Sequence, residues 1–385
     1  MNTERRNFLK SASLLSGSVA LGSIIPAGAV WASPLFEHKK GKLTLRYRAY
    51  TLELKHAFGV ALNTRKTTPV VLTELEYDGL KGYGEASMPP YLGESHESVL
   101  KFLGKVDLGQ FKDPFQMEEI LDYVDGVDSK NTAAKACVDI ALHDLTGKMM
   151  KQPWHKIWGF NADKTPLTSF TIGIDTKEVV LEKMKETEPF KVIKIKIGRE
   201  ESDKMMVETV RSQTDKPLTI DANQGWKDKQ YALDMAHYLK EKGALFLEQP
   251  MPKEMPDEIA WVTERSPLPI IGDESVQRLA DVKKAHGIYH GINIKLMKCT
   301  GMREAHKMLT LARALDMKVM IGCMTETSCA VSAAAQLSPM MDWADLDGNL
   351  LIKNDVYDGM TVVDGRITLN NLPGIGVKPI KVKKG

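Results

Sequence analysis

Three carboxylates in this chain follow one another at intervals of 27 and 25 residues: Asp221 in DANQG, Glu248 in EQP and Asp273 in GDES. All-oxygen donors suit a hard divalent cation. Three carboxylates that leave room for substrate oxygens and water fit Mg²⁺ better than Zn²⁺, which prefers nitrogen and sulfur. Any single Asp after an apolar run is ordinarily a turn or a helix cap, but three in phase are hard to assign to coincidence. Lysines flank them in chain order. Lys196, Asp221, Glu248, Asp273, Lys298 and Cys323 are separated by 25, 27, 25, 25 and 25 residues, with Lys194 two positions before the first. Lysines held on opposite sides of a metal-bound carboxylate could take a proton from one face of a substrate and deliver one to the other.

Such spacing requires elements that bring distant residues to one place. Each of these residues closes a short run rich in Val, Ile and Leu. From Leu167 to about residue 352 eight such runs (TSFTIGI, VIKIKIG, LTIDANQ, ALFLEQP, PIIGDES, INIKLMKC, VMIGCMTE and WADLDGN) alternate with helical stretches. Open doubly wound sheets share this alternation, so the alternation alone does not choose between them and a barrel. A (β/α)-barrel, however, sets the C-terminal ends of all its strands around one mouth, and one β/α unit per step would gather the ionisable residues there. The Lys194-Ile195-Lys196 run taken alone reads as a solvated strand face, yet solvated faces are rare in a parallel sheet covered by helices.

Upstream, residues 42 to 87 alternate polar and apolar in three runs, with Asp78-Gly79 as a hairpin turn. Residues 95 to 158 are helical, and TAAKACVDIALHDLTGKM puts Ala133, Cys137, Ile140, Ala141 and Leu145 on one stripe. We therefore expect an α/β protein, with a (β/α)-barrel over residues 165–355 and an N-terminal α+β domain over 42–160.

The length of 385 residues allows this large core, and Lys+Arg 52 against Asp+Glu 50 gives no electrostatic reason to invoke nucleic acid. A small-molecule substrate is expected, and nothing in the sequence fixes whether the protein is a homo-oligomer. Cys137, Cys299, Cys323 and Cys329 form no metal-ligand spacing. Cys299 and Cys323 are candidates to pair in an oxidising compartment, but a chain this size needs no such staple and all four read as buried apolar residues. Residues 1–32 carry Arg5-Arg6-Asn7-Phe8-Leu9-Lys10 and then an uncharged run ending Val30-Trp31-Ala32. This has the form of a twin-arginine export signal and implies a periplasmic protein, with cleavage near Ala32 and no permanent membrane anchor.

Together, Lys194-Ile195-Lys196, Asp221-Ala222-Asn223, Glu248-Gln249-Pro250, Gly272-Asp273-Glu274-Ser275 and Lys295-Leu296-Met297-Lys298 resemble the enolase superfamily across the whole mature chain. The paired and opposing lysines resemble its muconate-lactonizing subgroup, and Asp345-Leu346-Asp347 resembles the dipeptide epimerases, the L-Ala-D/L-Glu epimerases in particular. The mandelate-racemase subgroup carries a catalytic His near the seventh strand, where this chain has Gly322-Cys323-Met324-Thr325.

The resemblance implies an enolase-type barrel with the N-terminal α+β domain as a capping domain to which 356–383 returns, one Mg²⁺ held by Asp221, Glu248 and Asp273, and Lys196 and Lys298 as the two catalytic lysines. It implies that Lys194 contacts the substrate carboxylate, that Asp345 and Asp347 bind the α-ammonium of a dipeptide, and that Thr171, Cys323 and Thr325 complete the pocket. Asn223 and Glu326 would support the site. The loop AFGVALNTRKTTP should cover the barrel mouth. In it Asn63 stands where Glu-specific relatives carry an arginine, with Arg65 two residues later as its replacement. The expectation is a dipeptide epimerase acting on L-Ala-D/L-Glu from murein peptides. An epimerase for uncharged dipeptides, a cycloisomerase using the same lysines, and a dipeptide-binding module without chemistry are the alternatives.

Overall fold

The structure, a computed structural model, describes residues 41–59 and 64–380. The first 32 residues and Asn63 lie outside the described residues, and with them the expected export signal.

Strands β1 (Thr44–Gly59), β2 (Thr64–Tyr77) and β3 (Leu80–Ser87) form an antiparallel sheet in sequence order. The β2–β3 hairpin is closed by Asp78 and Gly79 with φ of 47° and 81°, the left-handed pair that a two-residue turn needs. Helix α1 (His96–Leu103) and helix α2 (Met117–Gly126) follow. Helix α3 (Thr132–Met149) then packs on β3. Gly82 and Gly84 permit this approach, since a Cβ on either would collide with the carbonyl of Ala141 or Cys137. The expected apolar stripe of α3 is buried, but so is every residue from Ala133 to Gly147. The reason is that the helix is covered on more than one side: in the barrel Met302 N donates to Asp139 at 2.5 Å, and Asp144 accepts from Tyr83 N of β3 at 2.9 Å and from Ile375 N of the C-terminal segment at 3.0 Å.

Eight parallel strands follow: β4 (Ser169–Ile172), β5 (Val192–Lys196), β6 (Leu218–Asp221), β7 (Ala244–Glu248), β8 (Ile270–Gly272), β9 (Gly291–Lys295), β10 (Lys318–Gly322) and β11 (Trp343–Asp345). They pair in sequence order from β4 to β11, and the sheet closes where Thr168 bridges Ala344 in parallel. These are the eight apolar runs of the sequence. Their residues are almost all buried, as expected for strands with helices outside and side chains filling the barrel.

The sheet domain is stitched to the barrel mouth. Glu85 of β3 accepts from Thr327 N at 2.9 Å and from the Thr327 hydroxyl, so it caps the N-terminus of a barrel helix, Ser328–Ala335. Ser87 Oγ donates to Thr325 O at 2.7 Å. The edge of β1 bonds the segment after β11 through Lys55 N to Leu351 O and Lys353 N to Glu53 O, both 2.9 Å. The four cysteines are free thiols, and Cys299 and Cys323 do not pair. Among the described residues no helix is long and apolar enough to cross a membrane.

Candidate active site

Strand register places the ionisable residues in neighbouring rows. Lys196 pairs with Asp221 and Asp221 with Glu248, while Lys295 pairs with Gly322 and Gly322 with Asp345. Asp273 follows the last residue of β8. Its turn is held by Gln249, whose Oε1 accepts from Asp273 N at 2.9 Å and from Ser275 N at 3.2 Å. Asp221, Glu248 and Asp273 each direct one carboxylate oxygen into a common space, all three within 4.8 Å of one another and all buried.

Four lysines surround this triad, and they fall into two kinds. Lys196 Nζ reaches Asp221 Oδ2 at 2.6 Å, Lys295 Nζ reaches Asp273 Oδ2 at 2.7 Å, and both side chains line the cavity at the barrel mouth. Strands β5 and β9 are four steps apart in an eight-stranded sheet, so these two amines approach the cavity from opposite sides. The other two lie behind its wall. Lys194 is wholly buried, with Nζ 2.7 Å from Glu248 Oε2, 2.7 Å from Asp345 Oδ2 and 3.1 Å from Asp221 Oδ2. Lys298 is wholly buried too, donating to Asp273 O at 2.6 Å, to Asn293 O at 2.9 Å and to Asp273 Oδ1.

The geometry differs from the expectation at two lysines. Lys298 does not face the cavity, because β9 ends at Lys295 and the chain turns back through Lys298 N to Lys295 O at 3.0 Å. The lysine that opposes Lys196 is Lys295. Lys194 does not line the cavity either, because three carboxylates hold its amine behind the wall.

Charge in the site is unevenly shared. Burial, reinforced by Asp221, pushes Glu248 up to about 7 although Lys194 opposes it. Burial and the neighbouring Asp273 push Glu274 to about 8. Burial would also raise Asp273, but the ammonium groups of Lys295 and Lys298 outweigh it and hold that carboxyl well below the usual range. Burial works against the charge of Lys194 and Lys295, yet the surrounding carboxylates raise both amines well above an ordinary lysine. Asn223 Oδ1 and Glu274 Oε2 are buried beside the triad without a hydrogen-bond partner. Surplus carboxylate charge, converging oxygens and two unsatisfied acceptors form a donor set that fits a hard divalent cation.

Around the cavity, Asp345 Oδ1 accepts from Ser169 Oγ at 2.8 Å, and Asp347 Oδ2 accepts from Thr171 N at 2.7 Å. Burial and Asp345 push Asp347 up to about 7. Arg65 Nη2 donates to Thr325 Oγ1 at 3.1 Å, and Tyr91 stands next to them on the same wall. Thr171, Cys323, Thr325, Asp345, Asp347 and Arg65 all line the cavity, so the structure brings together every expected substrate-binding residue but Lys194. Asn223 lines it as well, whereas Glu326 stays behind and accepts from Met324 N at 3.0 Å. Sequence reasoning missed Lys295 as a site residue, and with it Glu274, Tyr91 and Asn293, whose Nδ2 donates to Glu248 Oε1 at 2.7 Å. The signal for Lys295 was present: INIK puts Asn293 and Lys295 on one strand face as VIKIK does Lys194 and Lys196.

Residues 43–159 match the mandelate racemase / muconate lactonizing enzyme N-terminal domain, and residues 178–382 match the enolase C-terminal domain-like family. The chain belongs to the enolase superfamily. Over 382 residues it is 60% identical to an L-Ala-D/L-Glu epimerase from Bacteroides thetaiotaomicron, covering 98% of this chain and 99% of that one. Its fold is similar to the substrate-liganded L-Ala-D/L-Glu epimerase from Bacillus subtilis, with a TM-score of 0.83 and 28% identity over 89% of this chain and 100% of the other. It is also similar to a dipeptide epimerase from Enterococcus faecalis complexed with Mg and L-Leu-L-Tyr, with a TM-score of 0.81 and 29% identity over 88% and 99% of the two chains. This enolase-superfamily protein is accordingly an isomerase of the racemase and epimerase kind.

Proposed function

We propose that the protein is a Mg²⁺-dependent dipeptide epimerase that inverts the α-carbon of the C-terminal residue, with L-Ala-D/L-Glu from murein peptides as its substrate. The observation that carries this is the pair Lys196 and Lys295 on opposite sides of a cavity that has Asp345 and Asp347 at one wall and Arg65 at another.

Asp221, Glu248 and Asp273 would hold the ion. When bound, Mg²⁺ supplies positive charge at the substrate carboxylate, which makes loss of the α-proton easier. One of the two lysines, as the neutral amine, removes that proton; the C–H electron pair passes into the carboxylate as the carbon becomes planar. The other lysine, as the ammonium, delivers a proton to the opposite face and restores the C–H bond with inverted configuration. The two amines exchange protonation states in each turnover, so the reverse reaction uses the same groups. Lys298 fixes Asp273 and Lys194 ties Glu248 to Asp345, so neither enters the proton transfer.

Asp345 and Asp347 are acceptors suited to an α-ammonium group. That is the reason to favour dipeptides over a cycloisomerase substrate, which has no such cation. Arg65, partnered by Thr325, suits an acidic side chain on the reacting residue. Two opposed lysines are of little use to a protein that only binds dipeptides. The N-terminal arginine pair and apolar run support export to the periplasm, where murein peptides are released. Incubation of L-Ala-L-Glu with protein and Mg²⁺ in D₂O tests the reading: loss of the Glu α-proton signal in ¹H NMR is expected, and its persistence there and with other dipeptides would overturn it.

A further inference from the structure

The turns that follow the two opposed lysines are held by different parts of the chain. After β5 the chain runs from Lys196 into the helix Glu200–Arg211, and that helix supplies its own carboxylate. Asp203 Oδ1 accepts from Gly198 N and Arg199 N, both at 2.8 Å, and its Oδ2 accepts from Trp226 Nε1 at 2.7 Å. All three partners belong to the barrel. After β9 the chain runs from Lys295 through Lys298 into the helix Met302–Ala314, whose N-cap is Gly301. A glycine has no side chain to offer the first amide groups of a helix. Here the carboxylate comes from the N-terminal domain. Asp139 of α3, only 2% exposed, accepts from Met302 N at Oδ1 and from Arg303 N at Oδ2, at 2.5 and 3.2 Å.

A carboxylate is favourable at a helix N-terminus, whereas an unbonded one in the interior is costly. Asp139 stands between Val138 and Ile140, both wholly buried, so these bonds are its compensation and tie the two domains at this point. His143 steadies the group from its own helix, with Nδ1 3.2 Å from Asp139 Oδ1. Gly301 leaves it room, since a Cβ there would collide with the Asp139 carboxyl group. The segment so tied is strained. Thr300 has φ of 65°, an unusual angle for a β-branched residue, and such a conformation persists only where its surroundings determine it. From this point the bonds lead back to the strand end: Gly301 N donates to Leu296 O at 3.0 Å and Cys299 N to Lys295 O at 3.2 Å.

We infer that Asp139 is a positioning residue for Lys295, so that the N-terminal domain sets the placement of one proton-transferring amine while barrel residues set that of the other, Lys196. The inference rests on the roles proposed above for the two lysines. Asp139 does not line the cavity, so it acts through the Lys295–Gly301 turn and not on the substrate.

The test supplies L-Ala-L-Glu and L-Ala-D-Glu separately in D₂O with saturating Mg²⁺ and reads kcat for α-proton exchange, with K295A marking the epimer that depends on Lys295. In Asp139→Asn that epimer should slow by about 10- to 100-fold, the scale on which a small displacement from a distant substitution acts, while the other stays within about twofold. Gly301→Ala, which displaces the carboxylate from the other side of the contact, should give the same one-sided loss. Asp203→Asn should give the reverse pattern. A general loss of structure would slow both epimers alike, so parallel losses in folded Asp139→Asn and Gly301→Ala would overturn the inference. Unchanged exchange of both epimers in Asp139→Asn would overturn it too, as would slowing of the Lys295-dependent epimer alone in Asp203→Asn. Exchange of neither epimer by the unaltered protein would instead overturn the epimerase reading, and the positioning role with it.

Discussion

Replacing Lys298 by Met separates a lysine that builds the site from one that performs its chemistry. The substitution keeps the apolar stem and removes an ammonium group that is wholly buried. That ammonium donates to two backbone carbonyls, Asp273 O and Asn293 O, and to the carboxylate of Asp273. Without it both carbonyls lose a charged donor, and Asp273 keeps only Lys295, at 2.7 Å, as its cation. Breaking one side of a buried charge pair costs about 3–5 kcal/mol. With an unfolding entropy of about 0.7 kcal/mol/K for roughly 340 ordered residues, this corresponds to a fall in Tm of about 4–7 °C. Differential scanning calorimetry of metal-free protein should show that fall, and saturating Mg²⁺ should recover part of it because the ion binds the folded state. Deuterium exchange into the substrate should persist at reduced rate in K298M and be lost from at least one substrate epimer in Lys295→Met. An unchanged Tm with complete loss of exchange in K298M would refute the assignment and return Lys298 to the proton transfer.

Three further outcomes follow from the site and its supports. Arg65→Met should raise KM for L-Ala-L-Glu about tenfold or more while sparing L-Ala-L-Leu, measured by parallel exchange kinetics; equal effects on both would remove Arg65 from side-chain recognition. Asp347, pushed up to about 7 by burial and by Asp345, is neutralised as pH falls through that value, so kcat/KM should decline below pH 7. Asp347→Asn should raise KM and abolish that limb, and full activity on an N-acetylated dipeptide would contradict the role. Glu85 is raised from 4.5 to about 8, by burial first and Glu326 second. Between those values the folded state holds a proton that the unfolded chain has released, so its contribution to stability is full below pH 4.5 and lost as pH rises to about 8. Glu85→Gln, which keeps an acceptor for Thr327, should flatten the decline of Tm between pH 5 and 9; an identical profile would show that Glu85 is not protonated in the fold.

Much of the barrel was legible because a parallel strand buried on both faces leaves a continuous apolar run, and all eight runs became strands. The carboxylate triad was legible for the same reason, since each acid ends such a run at the mouth. The lysine opposite Lys196 was not. Numerical spacing treats every β/α unit as equal, but β8 has three residues and β9 has five, and register pairs Gly322 with Lys295. Counting 25 residues therefore overshot the strand end by three. The depth of Lys194 was not legible for a different reason: alternation puts Lys194 and Lys196 on the same strand face, but two residues of rise separate the cavity from the layer beneath it. Only Lys196 clears the wall. The all-round burial of α3 was also invisible locally, because it depends on a barrel that folds from residues far along the chain.

The central claim is that Lys196 and Lys295 serve opposite faces of one α-carbon. The direct measurement follows α-proton exchange in D₂O with L-Ala-L-Glu and L-Ala-D-Glu supplied separately to K196A and K295A. The account predicts that each variant loses epimerisation, that one exchanges only the L epimer without inversion, and that the other exchanges only the D epimer. Exchange of both epimers by either variant, or retained epimerisation in K295A, would contradict it.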